Sequence, residues 1–506
     1  MSLPEVLRPL PDHLVRTARE TLQRYEIPER GAPGHTDYVL LPDNEAVVGE
    51  LLTLATREHL PLVISAGRTG LVEAQRPQGE GVLSLEKLQR PLSFQLADGR
   101  RFEFPAQGDT ATAVYGWWQQ QGEPPLAGAT LEVQAGIAVD TVNALLESLG
   151  LAWPMEMGSS SAASAGACVA NASAGANAVC YGTAAHLCDH AAGYWADGSP
   201  AGPFAGPVWC VPAADELAID STRVDPAWGL IGSQGLFGVI TRLYLRLHPR
   251  PGAREAVLIP LPQMTSAVSL LQAAQQAFPG AVEEFEFIGR GALELVLRHL
   301  GTAAQLPFAA ERLQPWCVLL QVKGSDDGAL AERLYGFLAE QAGIADEDIG
   351  YAPLPALKRI RHSITEASNA RMQTQGGGRL SFDTAVPISR IGEYLEVLSA
   401  RLAGAYAGIE LIAFGHGGVG GAHLHLIGSR AQPVDAHAAA LVKLVFDVTQ
   451  DFGGTFSAEH GVGPKWGEEF LRRTPAAAVQ RLREEKRRRD PAGILNPRGF
   501  GLLDSN

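Results

Sequence analysis

Short apolar runs separated by amphipathic segments organise the first half of the chain. The run Leu62–Ser65 is apolar until its last residue, which is typical of a buried strand. After Asp43 and Asn44, apolar residues recur at helical spacing from Val47 to Ala55, and this pattern predicts a helix. Further strands are predicted at 81–85, 131–135 and 242–247, and further helices at 14–24 and 138–149.

Strand and helix patterns alternate after a boundary at Pro249 and Pro251. The alternation predicts a second, α+β domain in which helices cover an antiparallel sheet. From about residue 434 the pattern is mainly helical. The predicted strands are 256–260, 281–287, 315–323, 380–386, 410–416 and 423–427, and the predicted helices are 266–277, 329–342 and 390–403.

Glycine (56 residues) and proline (33 residues) are unusually frequent in this chain of 506. The tract 158–183 is dense in Gly, Ala and Ser, so it is either a flexible linker or closely packed backbone. Its alanines and valines, and its position between folded-looking segments, favour close packing. The glycine surplus therefore indicates tight turns and close backbone approaches.

Charge and composition exclude several classes of protein. A formal net charge of −14 argues against nucleic acid as a partner, because nucleic-acid-binding proteins present basic surfaces to phosphates. The basic run 486–489 is interpreted as the solvated end of a helix. No stretch reaches 18 apolar residues and the N-terminus lacks a signal-peptide pattern, so no transmembrane span is expected. Five cysteines without a C-x-x-C motif suit a reducing cytoplasm.

A glycine-bearing turn, 66–71, follows the predicted strand 62–65. Consecutive backbone N–H groups in such a turn can surround an anion, most often a phosphate. The turn matches neither the G-x-G-x-x-G fingerprint nor the P-loop, so a Rossmann nucleotide site is not indicated. By itself this is weak evidence, because any turn after a strand may use two glycines, and a plain structural turn is then the favoured interpretation.

Histidines cluster around a second glycine-rich turn, 415–421. His416 ends one predicted strand, and His423 and His425 share a face of the next because side chains alternate along a strand. Glu459 and His460 lie further along the chain. Two imidazoles and a carboxylate would form a divalent metal site and leave one histidine as a base.

Arg361 and Thr365 are spaced to lie one turn apart on a predicted helix. The arginine could bind a substrate carboxylate through two hydrogen bonds. The alternative is an exposed helix that carries charged residues without a ligand.

Together these segments resemble the FAD-linked oxidases of the vanillyl-alcohol-oxidase (PCMH) type, in particular the D-2-hydroxyacid dehydrogenases that oxidise D-lactate, D-2-hydroxyglutarate or glycolate. The resemblance runs from about residue 35 to 500 and rests on five ordered motifs: 42–47, 66–71, the glycines of 158–175, 232–241 and Asn496-Pro497. It implies an α+β fold with a helical extension (1–34), a two-part FAD-binding domain (35–251, with an insertion at 90–128), a substrate domain (252–433) and a helical segment (434–506) that returns to the FAD domain.

The resemblance also implies roles for individual residues. His416, His423 and Glu459 would bind zinc or manganese, His460 would be the base, and Arg361, Thr365 and His425 would contact substrate. No histidine lies in the 66–71 turn, so FAD is expected to be non-covalent. The implied FAD contacts are Ala66, Gly67, Arg68, Thr69, Gly70, Leu71, Gly158, Ser164, Gly166, Gly175, Gly238, Val239 and Asn496.

Several residues depart from the family pattern. Val419 and Gly421 stand where Asp and Asn are usual, His425 stands where a substrate-contacting Asn is common, and Ser381, with Arg379 nearby, stands where a Lys is frequent. The hypothesis is therefore metal-assisted, FAD-dependent oxidation of a D-2-hydroxy acid of unspecified side chain, with hydride transfer to flavin N5. Two alternatives stay open: a metal-independent oxidase of an alcohol or aromatic substrate, and a non-catalytic FAD-binding subunit.

The partners are predicted only by class. A 2-hydroxy acid would be the substrate, and the electron acceptor would be a carrier protein, a quinone or oxygen. The expected location is the cytoplasm, with peripheral membrane association and a homodimer as open options.

Overall fold

The first part of the chain forms two sheets from consecutive segments of the sequence. The computed structural model describes residues 3–303, 305–325 and 328–503. A four-stranded sheet has the order β1-β2-β4-β3, and a six-stranded sheet has the order β10-β9-β11-β7-β5-β6, while β8 and β12 pair separately. The strands are β1 (Val15–Arg16), β2 (Val39–Leu40), β3 (Leu62–Ser65), β4 (Gly81–Ser84), β5 (Pro91–Gln95), β6 (Arg101–Glu103), β7 (Thr130–Gln134), β8 (Leu151–Ala152), β9 (Cys188–Trp195), β10 (Pro200–Ala205), β11 (Gly238–Arg246) and β12 (His248–Pro249).

Helices pack against these sheets. Asn44 caps the second helix, because its side chain accepts a hydrogen bond of 3.1 Å from Val47 N. Val48, Leu51 and Leu52 of that helix are buried against the four-stranded sheet. The helices of this part are α1 (Arg19–Glu26), α2 (Glu45–Arg57), α3 (Thr110–Gln120), α4 (Val139–Leu146), α5 (Ala165–Asn171) and α6 (Ala178–Tyr181).

The second part is a seven-stranded sheet of order β16-β13-β15-β14-β18-β19-β17, in which every pairing is antiparallel. Helices cover both faces, so β14 is buried along its whole length. The strands are β13 (Ala253–Leu261), β14 (Val282–Gly289), β15 (Trp316–Gly324), β16 (Gly350–Tyr351), β17 (Gly376–Ala385), β18 (Glu410–Gly415) and β19 (Gly421–Ser429). The helices are α7 (Met264–Ala277), α8 (Arg290–Leu300), α9 (Leu330–Gly336), α10 (Leu354–His362), α11 (Ile364–Gln375) and α12 (Ile391–Ala405).

The last part returns to the first. It contains α13 (Ala438–Asp451), α14 (Gly467–Arg473) and α15 (Ala476–Arg489), and its end lies beside β3. Leu62 N donates to Ile494 O at 2.7 Å, and Asn496 N donates to Leu62 O at 2.8 Å. The Asn496 side chain accepts from Ile64 N at 3.0 Å and donates to Gly235 O at 3.1 Å. Residues 494–496 therefore extend the edge of the first sheet.

Most predicted elements are present, and the differences have local causes. The expected helix 14–24 is displaced to α1, because Val15 and Arg16 pair with β2. The residues 158–183 are packed backbone with two short helices, as the alanines indicated. The segment 90–128 is integral to the six-stranded sheet, since β5 pairs with β7.

Arg361 and Thr365 do not lie on one uninterrupted helix. Ser363 separates α10 from α11, so the two residues belong to consecutive helices. Among the described residues, no helix is both long enough and apolar enough to cross a membrane.

The interpretation of 486–489 as a wholly solvated helix end is wrong for its first residue. Lys486 is 1% exposed, and its Nζ donates to Leu236 O (2.7 Å), Leu495 O (2.6 Å) and Asp490 Oδ2 (2.6 Å). A buried ammonium group is tolerated only when it is fully hydrogen-bonded. Lys486 thus ties α15 to the 236 turn and to the terminal segment.

We expect Lys486→Met to destabilise the protein by about 3–5 kcal/mol, because it leaves the buried Asp490 carboxylate without its cation. Chemical denaturation measures the change. The control is Arg487→Met, which removes an exposed charge from the next position of α15 and should change stability by less than about 0.5 kcal/mol. Equal stabilities for the two variants would contradict the structural role of Lys486.

Candidate active site

A cavity of about 740 Å³ runs between the three parts of the chain. At one end it is lined by the turn after β3, by the 156–176 tract and by the residues around β11. At the other end it is lined by α10, α11, β17, β19 and the loop 459–466. Every predicted metal ligand and the predicted base contribute to the second end.

The turn 66–71 presents unused backbone donors to this cavity. Among the described residues, no hydrogen bond uses the N–H groups of 67 to 71. The Arg68 side chain turns away, because its Nη1 donates to Glu86 Oε2 at 2.8 Å. Gly67 packs so closely that a Cβ would lie 2.1 Å from Ala162 O. The turn therefore offers backbone groups, rather than a side-chain charge, to an anion.

The other predicted FAD contacts lie along the same cavity, with one exception. Ala66 to Leu71, Gly158, Gly166, Gly175, Gly238, Val239 and Asn496 all line it. Ser164 is buried and is not a lining residue; its Oγ accepts from Ala167 N at 3.3 Å and caps α5. Ser164 thus supports the lining tract from behind.

The turn between β18 and β19 brings two histidines together. Gly420 has φ of +73°, and a Cβ there would lie 2.0 Å from Val386 O, so only glycine fits. His416 Nε2 lies 3.5 Å and His423 Nε2 3.3 Å from Glu459 Oε1. One ligand atom from each of these three residues lies within 4.8 Å of the others.

A buried glutamate, Glu286, orients this cluster, and sequence reasoning missed it. It lies on β14, has no solvent exposure, and accepts hydrogen bonds from His416 Nδ1 and from Arg361 Nε, the latter at 2.6 Å. In the sequence it alternates with apolar neighbours, which is the pattern of a strand with one face in solvent, so its burial could not be predicted. Glu286 fixes the His416 tautomer that turns Nε2 toward Glu459.

Asp383 performs a similar task for the loop that carries Glu459. Its Oδ2 accepts hydrogen bonds of 2.9 Å from the backbone N–H groups of both Glu459 and His460. The same oxygen lies 3.3 Å from His460 Nδ1, and Oδ1 lies 3.8 Å from His423 Nδ1. In β17 Asp383 is directly opposite His423, and this register fixes the contact.

The electrostatics of the cluster favour a cation at the His416 and Glu459 side. Burial opposes protonation of His416, but the carboxylates of Glu286 and Glu459 outweigh it and raise the pKa of His416 to about 10. Burial would raise the pKa of Glu286, but Arg361 and His416 lower it to about 2. Burial and the positive charge near His416 hold the pKa of His423 well below its usual value. A neutral imidazole is the form that binds metal.

The predicted substrate contacts also line the cavity. Arg361 keeps its Nη atoms without a hydrogen bond to any described residue, while its Cζ stacks over Phe414 at 4.8 Å. Thr365 lies one turn further on, in α11. His425 is 3% exposed, and its Nδ1 lies 3.0 Å from Ser368 Oγ.

Comparison with known proteins adds a family to this geometry. Residues 250–499 match the family of FAD linked oxidases, C-terminal domain. A D-2-hydroxyglutarate dehydrogenase of Xanthomonas citri pv. viticola is 28% identical over 91% of this chain and 88% of its own length. The mitochondrial D-2-hydroxyglutarate dehydrogenase of Arabidopsis thaliana is 24% identical over 92% of this chain and 75% of its own.

Residues 250–499 are therefore an FAD-linked oxidase C-terminal domain. The whole chain shares its fold with p-cresol methylhydroxylase, which superimposes with a TM-score of 0.67 at 12% identity, covering 97% of this chain and 94% of the other. The 4-ethylphenol oxidase of Gulosibacter chungangensis gives 0.63 at 15% identity, covering 99% and 96%. The expected α+β FAD-oxidase fold is confirmed.

The residues present fit both groups that an FAD-linked oxidase of this kind would hold. For FAD, the five unused N–H groups of 67–71 and the buried, unpartnered Ser65 Oγ beside them suit a phosphate. For a divalent metal, Glu459 Oε2 is buried without a hydrogen-bond partner next to two imidazoles. Two nitrogen donors and a carboxylate suit zinc or manganese.

We expect Glu286→Gln to weaken metal binding about 10- to 100-fold, because an amide holds His416 less firmly than a carboxylate does. Competition with a chromogenic chelator on metal-free protein measures the affinity. Glu410→Gln is the control. Glu410 begins β18, the strand that leads into the histidine turn, but it pairs with Arg371 at 3.3 Å and not with a histidine. An unchanged affinity in Glu286→Gln would remove Glu286 from the site.

Proposed function

We propose that this FAD-linked oxidase oxidises the hydroxyl group of a D-2-hydroxy acid to the corresponding 2-oxo acid, with a divalent metal held by His416, His423 and Glu459. The observation that carries the proposal is the continuity of one cavity. It joins the donor-rich 66–71 turn to the histidine cluster, so a cofactor at one end and a metal-binding substrate at the other would meet inside it. The relatives named D-2-hydroxyglutarate dehydrogenase support the same class of substrate.

When bound, FAD would supply a two-electron acceptor, and a divalent metal would supply a Lewis acid for the 2-hydroxyl and carboxylate. The turn 66–71 and the lining glycines would hold FAD. Arg361 would bind the substrate carboxylate through its Nη atoms, and Glu286 holds the guanidinium in place from the Nε side.

His460 is the group placed to take the hydroxyl proton. Its Nδ1 lies 3.3 Å from the Asp383 carboxylate, which orients the ring. The side chain is 29% exposed, more than His416 or His423, so a substrate can reach it from the cavity. His423 stacks on it, with ring centroids 5.7 Å apart and planes 14° from parallel.

The direct test is anaerobic bleaching of the flavin by a panel of D- and L-2-hydroxy acids, with the metal content measured on the same sample. Reduction by D-acids alone supports the proposal. A flavin that no 2-hydroxy acid reduces would favour a non-catalytic FAD-binding protein instead.

We expect removal of the metal by a chelator to abolish reduction while FAD stays bound, because Arg361 alone would then hold the substrate. Readdition of zinc or manganese should restore reduction in the parent protein but not in His416→Ala. Stopped-flow absorbance of the flavin measures both. Full reduction in protein shown to be metal-free would reject the metal-assisted reaction and support a metal-independent oxidase.

We expect His460→Ala to slow flavin reduction by about 10²- to 10⁴-fold, the usual contribution of a general base, with FAD and metal contents unchanged. His13→Ala, at an exposed position, is the control and should reduce its flavin at the parent rate. A parent-like rate in His460→Ala would refute its role as the base.

A further inference from the structure

Gln234 connects four separate segments of the chain at the wall of the active-site cavity. It lies in the turn before β11 and lines the cavity. Its backbone N–H donates to Ala170 O in α5 at 2.8 Å, and its carbonyl accepts from Asn496 Nδ2 at 3.4 Å. Its side chain contacts Ser221 and Val462. One residue therefore links the tract that is predicted to bind FAD with the loop that carries the proposed metal ligand and base.

Both polar atoms of the Gln234 amide are used, and only one orientation of the amide satisfies both. Oε1 accepts a hydrogen bond of 2.8 Å from the Val462 N–H, and Nε2 donates to Ser221 O at 2.8 Å. Ser221 holds the same loop, because its N–H donates to Ser457 O at 3.0 Å and its Oγ donates to Ala458 O at 2.9 Å. The amide therefore fixes the loop directly through Val462 and indirectly through Ser221.

The backbone at this contact is shaped for a close approach. Gln234 has φ of +52°, in the left-handed region that residues with a side chain rarely adopt. Gly461 has φ of +86°, and a Cβ there would lie 2.7 Å from Gln234 Oε1. The amide thus occupies the space that a side chain at position 461 would need. A strained backbone at a cavity wall is a reason to look for a functional role.

The loop 457–462 is held from two sides of the cavity. Asp383, on β17, accepts the N–H groups of Glu459 and His460, while Gln234 accepts that of Val462. Val462 is buried, and among the described residues its N–H has no other acceptor. Without the Gln234 side chain this N–H would be left unsatisfied, and the second sheet alone would fix the loop.

We propose that Gln234 is a positioning residue, which holds the loop 457–462 so that Glu459 and His460 keep fixed positions relative to the tract that lines the predicted FAD site. The inference rests on the proposed function, because that function assigns the metal and the proton to these two side chains. Each of the four polar atoms of Gln234 has a partner within the protein. Gln234 therefore acts through the loop.

The first experiment measures the loop by hydrogen exchange of the segment 457–466, and it needs neither metal nor substrate. Gln234→Met and Gln234→Gly remove the acceptor and should speed exchange of the Val462 amide at least about 10-fold, because exchange requires this hydrogen bond to open. Gln234→Gly also suits the positive φ, so it removes the side chain without adding backbone strain.

Gln234→Glu is the rescue variant in the same experiment. It keeps an oxygen for the Val462 N–H but loses the donor to Ser221 O, so it should retain more protection than Gln234→Met. Unchanged exchange in Gln234→Met and Gln234→Gly would overturn the inference.

The second experiment measures zinc affinity by chelator competition on FAD-loaded protein that has been stripped of metal. Gln234→Met and Gln234→Gly should weaken zinc binding about 10- to 100-fold, the usual effect of a residue that supports a metal ligand. Gln432→Met is the matched control, because Gln432 Oε1 also accepts a backbone N–H, from Gly408 at 2.9 Å, but does not line the cavity. It should bind zinc as the parent does, with equal FAD content. Equal zinc affinity in all four proteins would overturn the inference.

Flavin reduction separates this inference from the proposed function. With FAD and metal bound, Gln234→Met and Gln234→Gly should reduce their flavin with a D-2-hydroxy acid about 10- to 100-fold more slowly than the parent and Gln432→Met, because His460 moves with the loop. A parent rate in both Gln234 variants would overturn the inference while the oxidation itself stands. A parent protein that binds no zinc, and whose flavin no D-2-hydroxy acid reduces, would overturn the proposed function, and the exchange rates would still decide the role of Gln234.

Discussion

Burial of the Glu286 carboxylate is the constraint on which the arrangement of the active site depends. A carboxylate without solvent exposure stays ionised only when cations and donors surround it. His416 and Arg361 supply them from two different elements, the β18 turn and α10. One buried charge thereby fixes both the imidazole beside Glu459 and the guanidinium proposed to bind substrate. A change in any of these three residues would disturb the other two.

The same constraint applies to two charged residues of β17, which are less fully hydrogen-bonded than Glu286. Oδ2 of Asp383 accepts two backbone N–H groups and faces His460, whereas its buried Oδ1 has no hydrogen-bond partner among the described residues. The same holds for the buried Nη1 of Arg379, four residues earlier on the same face. A single strand therefore carries two charged side chains, four residues apart, each with a buried polar atom that has no hydrogen-bond partner among the described residues.

Much of the fold can be predicted from local sequence patterns. The features that could not be predicted depend on contacts between residues far apart in the sequence. Strand β3 and the helix capped by Asn44 could be predicted from the sequence, because residues next to each other in the chain determine both elements. The grouping of His416, His423 and Glu459 could be expected from a turn and a family resemblance. Glu286 could not, because its partners lie 75 and 130 residues away. The burial of Lys486 is hidden from the sequence for a similar reason: its charge pattern describes a surface helix, while one of its acceptors, Leu236 O, lies 250 residues away.

The hydrogen bonds between residues 494–496 and β3 also constrain when the first sheet can finish folding. Asn496 contacts Ile64 across 432 positions of the chain. Domains generally fold as their residues emerge, beginning at the N-terminal end. Here the edge of the first sheet at β3 stays open until residues 494–496 have been synthesised. The first sheet is therefore completed only by a segment that lies 432 positions downstream of Ile64.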